Sequence, residues 1–240
     1  MRLDRFAGKL FASKYILKSK VQPSFSQAGE DQVLKYLFGC LGIAEPTYLD
    51  IGTNHPIFGS NSFYFYNRGS RGVCIEPDPR YAALIRRFRR HDVFLQAGIG
   101  FGTETAAELY VFPMEFSGWN TFSKEEAEYR QAKTGVQITE VRKVPLLHIN
   151  QVMEQYFKPH PNFISLDIEG LDLDVLKSMD FTRFRPEAIC VETITFSLTN
   201  EERKMQEIID FVTSQGYFVF ADTHVNTIFC NTAVYKPVQP

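Results

Sequence analysis

The sequence is short of cysteine, of long apolar runs, of net charge and of clustered glycine, and each shortage removes a class of protein. Its four cysteines, Cys40, Cys74, Cys190 and Cys230, form no Cys-x-x-Cys pair, and three of them lie inside apolar runs. That pattern indicates buried free thiols in a reducing compartment, and neither a disulfide framework nor a zinc site. No apolar run approaches the roughly 20 residues that a membrane-spanning helix needs. The N-terminus is basic but has no continuous apolar region and no small-residue cleavage site, so it is a poor signal peptide and the chain reads as cytoplasmic. A net charge of -2 gives no global reason to expect nucleic acid as a partner. Glycine is thin where a dinucleotide would need it: Gly52 stands alone until Gly59, with Pro56 between them. A dinucleotide fingerprint uses three glycines for a tight turn and close approach of the pyrophosphate. A nucleoside without phosphates suits this loop better.

What is present points to one α/β domain, because 240 residues at 44% hydrophobic can bury a full core. The central stretch runs Tyr48-Leu49-Asp50-Ile51-Gly52-Thr53-Asn54, then a polar loop, then Gly72-Val73-Cys74-Ile75-Glu76-Pro77-Asp78. An apolar run closed abruptly by Asp-x-Gly reads as a buried parallel strand whose carboxyl end opens onto a ligand. Asn162-Phe163-Ile164-Ser165-Leu166-Asp167-Ile168-Glu169-Gly170 and Glu187-Ala188-Ile189-Cys190-Val191-Glu192-Thr193 repeat the device. Helices are expected over Val33–Phe38, Ser62–Tyr66, Pro79–Arg90, Leu171–Met179 and Glu201–Gln215, with Pro79 in a first turn, where proline is tolerated. The basic end of the third, Arg86 to Arg90, reads as a solvated face suited to a helix C-terminus. Further strands are expected at Val93–Ala97, Leu109–Phe112 and Thr139–Leu147, with a polar, helix-prone insert at Ser123–Lys133. The short link Asp222 to Asn226 makes Tyr217–Ala221 and Thr227–Cys230 an antiparallel hairpin at the sheet's end. Strands and helices alternate and a hairpin closes the chain, so the sheet is mainly parallel with one reversed strand.

Residues 1–23 form a basic amphipathic segment ahead of a main domain at 24–240. Leu3, Phe6, Ala7, Leu10 and Phe11 fall at helical spacing among six bases and one acid within residues 1–20. Two readings follow: a helix capping the domain or a partner subunit, which is the commoner arrangement, or an interfacial helix on anionic lipid. In the next stretch, Ser26 or Gly29 would start a helix, and so many small polar groups around it keep a ligand role open for Gln27 and Glu30.

Ligands of such sheets bind outside the carboxyl ends of the strands. Asp50, Glu76, Asp167 and Glu192 are read as acids at four tips of one rim, with His224 and Asn226 reaching it from the hairpin turn. A lone tip acid is often a helix cap, and Asp167 or Asp172 would do for that, but four desolvated carboxylates on one rim indicate a site. Trp119, in a loop, either lines an acceptor pocket or packs beneath its own loop.

The boxes Tyr48 to Asn54, Ile75-Glu76-Pro77-Asp78-Pro79, Ile164 to Gly170 and Ile189 to Thr193 resemble the FkbM family of S-adenosylmethionine-dependent methyltransferases. The resemblance runs from about Ser24 to Phe229 and includes the branch that opens with a Ser-Gln-x-Gly-Glu-Asp segment, here Ser26 to Asp31. It implies a class I methyltransferase fold, a Rossmann-like sheet whose last strand is antiparallel. By that resemblance Asp50, Gly52, Thr53 and Asn54 hold the methionine part of the cofactor, in the loop that runs on to Asn61. Glu76 takes the ribose hydroxyls, Pro77 and Asp78 border the adenine, and Gln96, Ala97 and Gly98 face its other side. Where many members carry a second glycine after the Asn, this chain has His55-Pro56, which puts an imidazole beside the methyl donor. The insert at about 113–138 becomes an acceptor-side lid.

Methyl transfer to oxygen requires alignment of the acceptor and removal of its proton. Asp167, Glu169 and His224 are the candidate bases. Asp167 with Glu192 would alternatively hold a hard divalent cation such as magnesium through oxygen ligands. The expected activity is O-methylation of a glycan or related hydroxylated small molecule. The rivals are a nicotinamide oxidoreductase, weakened by the missing glycine triad, and a non-catalytic nucleoside-binding scaffold, which the acid rim argues against.

Overall fold

A computed structural model describes residues 23–197 and 201–235. The expected amphipathic segment therefore lies almost wholly outside the described residues. The strands are β1 (Tyr48–Ile51), β2 (Gly72–Ile75), β3 (Val93–Leu95), β4 (Gly98–Gly100), β5 (Ala106–Val111), β6 (Glu140–His148), β7 (Phe163–Leu166), β8 (Ala188–Glu192), β9 (Tyr217–Asp222) and β10 (Asn226–Asn231). Seven of them form one sheet in the order β3-β2-β1-β7-β8-β10-β9. β1, β2, β3, β7 and β8 pair in parallel, and β10 runs antiparallel to both β8 and β9. β9 consequently points the same way as β8, which carries the β9–β10 turn to the rim where the parallel strands end. The expected fold class is the one observed.

Side-chain parity explains why the central strands are apolar without a break. Leu49 and Ile51, Ile164 and Leu166, and Ile189 and Val191 face one layer of helices, with Phe229 beside them. That layer holds α5 (Ile149–Tyr156), α6 (Asp172–Ser178) and α7 (Gln206–Ser214), in chain order after α1 (Glu30–Leu41), α2 (Phe63–Tyr66), α3 (Pro79–Phe88) and α4 (Lys124–Thr134). Tyr48, Phe163, Ala188 and Cys190 face the other way, onto α1 and α2 through Leu34, Leu37, Phe38, Tyr64 and Phe65. A strand buried on both faces cannot show the polar alternation of a half-exposed one.

Three expectations are corrected here. The expected third strand breaks after Leu95, and β4 leaves the main sheet to pair with β6 in a smaller three-stranded sheet, order β4-β6-β5. A Cβ on Gly98 at that departure would sit 2.4 Å from the Phe122 ring, so any larger residue would have to push that ring aside. The expected helix from Glu201 starts only at Gln206, since the preceding residues extend the edge of β8. There the Thr195 amide donates to the Arg203 carbonyl at 3.0 Å, and the Met205 amide to the Thr193 carbonyl at 2.8 Å.

The third correction is Arg89, which is 1% exposed and no part of a solvated face. Its guanidinium pairs with Asp92 at 2.8 Å, donates to Ser62 Oγ at 2.8 Å and to the Pro56 carbonyl at 3.2 Å, and lies 3.9 Å from Asp50. It thus ties the end of α3 to the loop after β1 from below. Burial of so many apolar residues around one charge is tolerable only because its partners are buried with it.

Candidate active site

The site begins where β1 and β7 end side by side. Gly52 has φ 79, and a Cβ there would lie 1.8 Å from the Asp167 carbonyl oxygen. The two loops are that close because the Asp167 amide donates to the Ile51 carbonyl at 3.1 Å. The Gly52 and Thr53 amides both donate to the Ile75 carbonyl, at 3.0 and 3.1 Å, so three strand ends are locked together. Thr53 adds a hydroxyl bond to the Asp50 carbonyl at 3.1 Å.

Glu76 follows β2 and is 6% exposed. One carboxylate oxygen accepts the Asn54 amide at 2.7 Å and the other the Asp78 amide, also at 2.7 Å. Burial pushes its pKa up to about 7 in spite of those two amides. Each oxygen keeps a further lone pair, so the group can still receive two hydroxyls. A cleft opens over it, walled by Gly52, Asn54, Pro77, Ala97, Gly98 and Phe122 among others. A ribose-bearing cofactor matches this donor set: a buried acid at one tip and a wall that only glycine can form.

The raised pKa gives Glu76 a testable signature. Between its ordinary value and about 7 the folded protein holds a proton that the ionised, ribose-accepting form must lose. S-adenosylhomocysteine should therefore bind more weakly as pH falls below 7, by up to about tenfold per pH unit, and release a proton on binding near pH 6.5. Calorimetry in buffers of different ionisation enthalpy measures that proton, and Glu76→Gln should bind more weakly and lose the pH dependence. A pH-independent affinity in the unmodified protein contradicts this role.

A wider cavity adjoins the cleft and shares Gly52, Asn54, Gly118, Asp167 and Glu169 with it. Gln27, Thr53, Trp119, Arg130, Glu192 and His224 are among its other walls. Carboxylate oxygens of Asp167, Glu169 and Glu192 all lie within 4.8 Å of one another. Burial is the largest cause that holds all three in the protonated direction, and repulsion from neighbouring carboxylates adds to it. Asp167 is raised well above the usual carboxylate range, Glu192 goes to about 10 and Glu169 to about 7, where Arg130 opposes the rise. Arg130 Nη2 donates to Glu169 at 2.8 Å, and no donor is paired with the Asp167 carboxylate among the described residues. Asp172 braces the loop between them by accepting the Ile168 and Gly170 amides at 3.2 and 3.3 Å, and burial lifts it to about 6. Asn54, Glu169 and His224 are the non-glycine residues with positive φ among those described, and all three line this cavity. Such backbone conformations persist only where the surroundings impose them, and they gather at functional sites.

Other expected site residues line neither space. Asp50 sits within β1 on the face toward α1 and α2; its carboxylate accepts the Ser62 hydroxyl and neighbours Arg89. Asn61 donates to Ser165 Oγ at 3.1 Å beneath the sheet rim. Asp78 caps α3 through the Arg80 amide and anchors Asn120 at 2.9 Å, so its carboxylate does not border the cleft. Glu30 is fully buried: burial raises its pKa, but bonds from Thr223 at 2.7 Å, the Ala28 amide and Asn226 outweigh that and lower it. It fastens the N-terminal arm to the β9–β10 turn and leaves Gln27 facing the wider cavity.

His55 also lines neither space, which corrects its placement beside the methyl donor. Its Nδ1 accepts the Ile57 and Phe58 amides at 3.2 and 3.1 Å, so the ring braces its own loop. Trp119 does line the wider cavity, within an aromatic cluster of Phe112, Phe116 and Phe196. The insert expected to be polar contributed the residue that sequence reasoning missed, Arg130. Its only sequence signal is the i, i+4 pair with Glu126, the commonest of surface patterns.

The methyltransferase FkbM domain model matches residues 50–219. The chain belongs to that family, and the class of protein defined by the sheet and its rim is an S-adenosylmethionine-dependent methyltransferase. No curated protein matches the chain. Among solved structures, an FkbM methyltransferase from Methylobacillus flagellatus is 13% identical, with a TM-score of 0.43 over 78% of this chain and 43% of that one. An O-methyltransferase from Bacillus cereus in complex with S-adenosylhomocysteine is 11% identical, with a TM-score of 0.40 over 95% and 90% of the two chains. The 1,6-didemethyltoxoflavin-N1-methyltransferase of Burkholderia thailandensis is 10% identical, with a TM-score of 0.41 over 96% and 89%.

Proposed function

We propose that the chain transfers a methyl group from S-adenosylmethionine to a hydroxyl of a glycan or related hydroxylated metabolite, with Asp167 as the base. The observation that carries this reading is the position of Asp167, which borders both the cleft over Glu76 and the wider cavity and has no donor paired to it among the described residues. The cofactor, when bound, supplies an electrophilic methyl group. Glu76 would take its ribose, Pro77, Ala97 and Gly98 would flank its base, and Gly52, Thr53 and Asn54 would hold its methionine end. The acceptor would enter the wider cavity, with the 113–138 insert as its cover. The ionised form of Asp167 is a stronger base than an ordinary carboxylate, which suits it to a weakly acidic hydroxyl, and because its proton is held above the usual range, turnover should rise with pH as that proton is lost. Glu169 is already engaged by Arg130, and His224 borders the wider cavity but not the cleft over Glu76, so both are second to Asp167.

A magnesium ion held by Asp167, Glu169 and Glu192 is the alternative use of the same oxygens, favoured by their 4.8 Å grouping. The Arg130 guanidinium already supplies one positive charge there, and the base reading is preferred. The cytoplasmic reading rests on unpaired cysteines, of which Cys74, Cys190 and Cys230 are buried. No helix among the described residues is long and apolar enough to cross a membrane.

The test is transfer from isotopically labelled S-adenosylmethionine to a panel of glycosides and hydroxylated metabolites, with and without chelator. Labelled methyl ethers formed equally in both conditions are the expected outcome. Label found only on nitrogen contradicts the hydroxyl acceptor, and activity lost to chelator and restored by magnesium replaces the base with a metal site.

A further inference from the structure

We propose that Phe58 binds the acceptor, stacking its open ring face on the apolar face of a cyclic, hydroxyl-bearing substrate; this rests on the glycan-hydroxyl reading above. Phe58 is 72% exposed, the highest value of any large apolar side chain among the described residues. It lines the wider cavity together with Asn54, Gly59 and Asp167. A single exposed apolar side chain needs no explanation by itself, but this one is held in place. Its amide and that of Ile57 donate to His55 Nδ1 at 3.1 and 3.2 Å. Its ring lies on the imidazole, with centroids 4.8 Å apart and planes inclined by 29°. Beneath the loop, Arg89 donates to the Pro56 carbonyl at 3.2 Å. The imidazole thus takes one face of the phenyl ring and leaves the other uncovered.

The rest of the cavity wall is of two kinds. Asp167, Glu169 and Glu192 supply acids, and half-buried Trp119 and Phe196 add apolar surface, their rings in edge contact at 5.2 Å. An acceptor that fills this space must offer hydroxyls to the first and carbon to the second. A pyranose ring does both, because its equatorial hydroxyls point outward from the ring edge and its axial C–H bonds form a compact apolar face. An open-chain polyol carries a hydroxyl on every carbon and would press polar groups against the phenyl ring without a hydrogen bond. Phe58 and Asp167 border one space, so a ring stacked on the first stays within the cavity that holds the base.

The experiment measures binding of methyl pyranosides and of open-chain hexitols to the S-adenosylhomocysteine complex, by calorimetry and saturation-transfer NMR. The unmodified protein is compared with Phe58→Ala and Phe58→Tyr; a side chain so exposed can be removed with little change in melting temperature. The expected result is pyranoside binding about fivefold or more weaker in Phe58→Ala, the equivalent of ~1 kcal/mol, an ordinary worth for an aromatic contact. Phe58→Tyr keeps the ring and should bind within about twofold of the original. Hexitols should bind more weakly than pyranosides and be indifferent to either substitution, and saturation transfer should fall mainly on the C–H protons of one pyranose face. S-adenosylhomocysteine affinity should be the same in all the proteins compared. Pyranoside binding undiminished in Phe58→Ala overturns the role of Phe58 while leaving the hydroxyl acceptor standing. Hexitol binding equal to that of the pyranosides overturns the demand for a ring. A parallel loss of S-adenosylhomocysteine affinity in Phe58→Ala assigns the residue to the cofactor and overturns its acceptor role. Failure of every pyranoside to bind the unmodified complex overturns the glycan reading itself, and this proposal with it.

Discussion

Replacing Gly52 by Ala is expected to abolish cofactor binding and to lower the melting temperature sharply. The new Cβ would sit 1.8 Å from the Asp167 carbonyl oxygen, a backbone atom that no rotamer change can move. The φ of 79 adds a further cost, about 1–2 kcal/mol for a residue with a side chain in the left-handed region. Relief requires the ends of β1 and β7 to separate, and overpacking of this kind costs about 1–3 kcal/mol even where flexible side chains give way. Separation also breaks the cleft wall that Gly52 forms with Glu76 and Asn54. Affinity for S-adenosylhomocysteine should fall at least about 100-fold, the equivalent of nearly 3 kcal/mol. Calorimetry and a melting curve on the same sample measure both effects. A variant that binds within threefold of the original would show that the loops are not held as described.

Asp167→Asn should behave in the opposite way. The amide cannot take a proton, so kcat is expected to fall about 10²–10⁴-fold, the usual contribution of a general base. Asn has the same shape as Asp, so the wall that Asp167 gives to the cleft over Glu76 is kept and S-adenosylhomocysteine should bind as before. Stability should move as well, and its sign follows from the raised pKa. The folded protein binds a proton at Asp167 that the unfolded chain has lost, so this group's contribution is present below the ordinary carboxylate pKa and is lost as pH rises above it. Asn removes that penalty, and the variant is expected to melt higher than the unmodified protein at neutral and alkaline pH. A variant that keeps its turnover shifts the base to Glu169 or His224. One that loses turnover and melts lower indicates a structural carboxylate.

The strand tips were legible in the sequence for a physical reason. Glu76 and Asp167 each follow the last residue of an apolar strand, where the chain must turn and the side chain reaches the rim whatever the strand's facing. Asp50 looked equivalent, yet in register it lies two residues earlier, inside β1, and shares the facing of Tyr48. Strand parity sends it down onto Ser62 and Arg89, and a run buried on both faces gives no alternation from which to read that parity. Arg89 itself was hidden in a basic run, because charge alone does not reveal that Asp92, three residues on, is buried with it. Arg130 was hidden for another reason: it belongs to an insert, and its place beside Glu169 depends on how two distant segments pack. The fold came through more fully than the site, since periodicity marks strands locally while a pocket is assembled from Gln27 to His224.

The most direct measurement is calorimetry of the unmodified protein with S-adenosylhomocysteine and, separately, with NAD. The expected result is saturable binding of the first, weakened in Glu76→Ala by about 1.5–3 kcal/mol, as loss of charge-assisted hydrogen bonds demands, and no heat of binding from the second. Binding of NAD without binding of S-adenosylhomocysteine, or an affinity indifferent to Glu76, would contradict the site described at the ends of β1, β2 and β7.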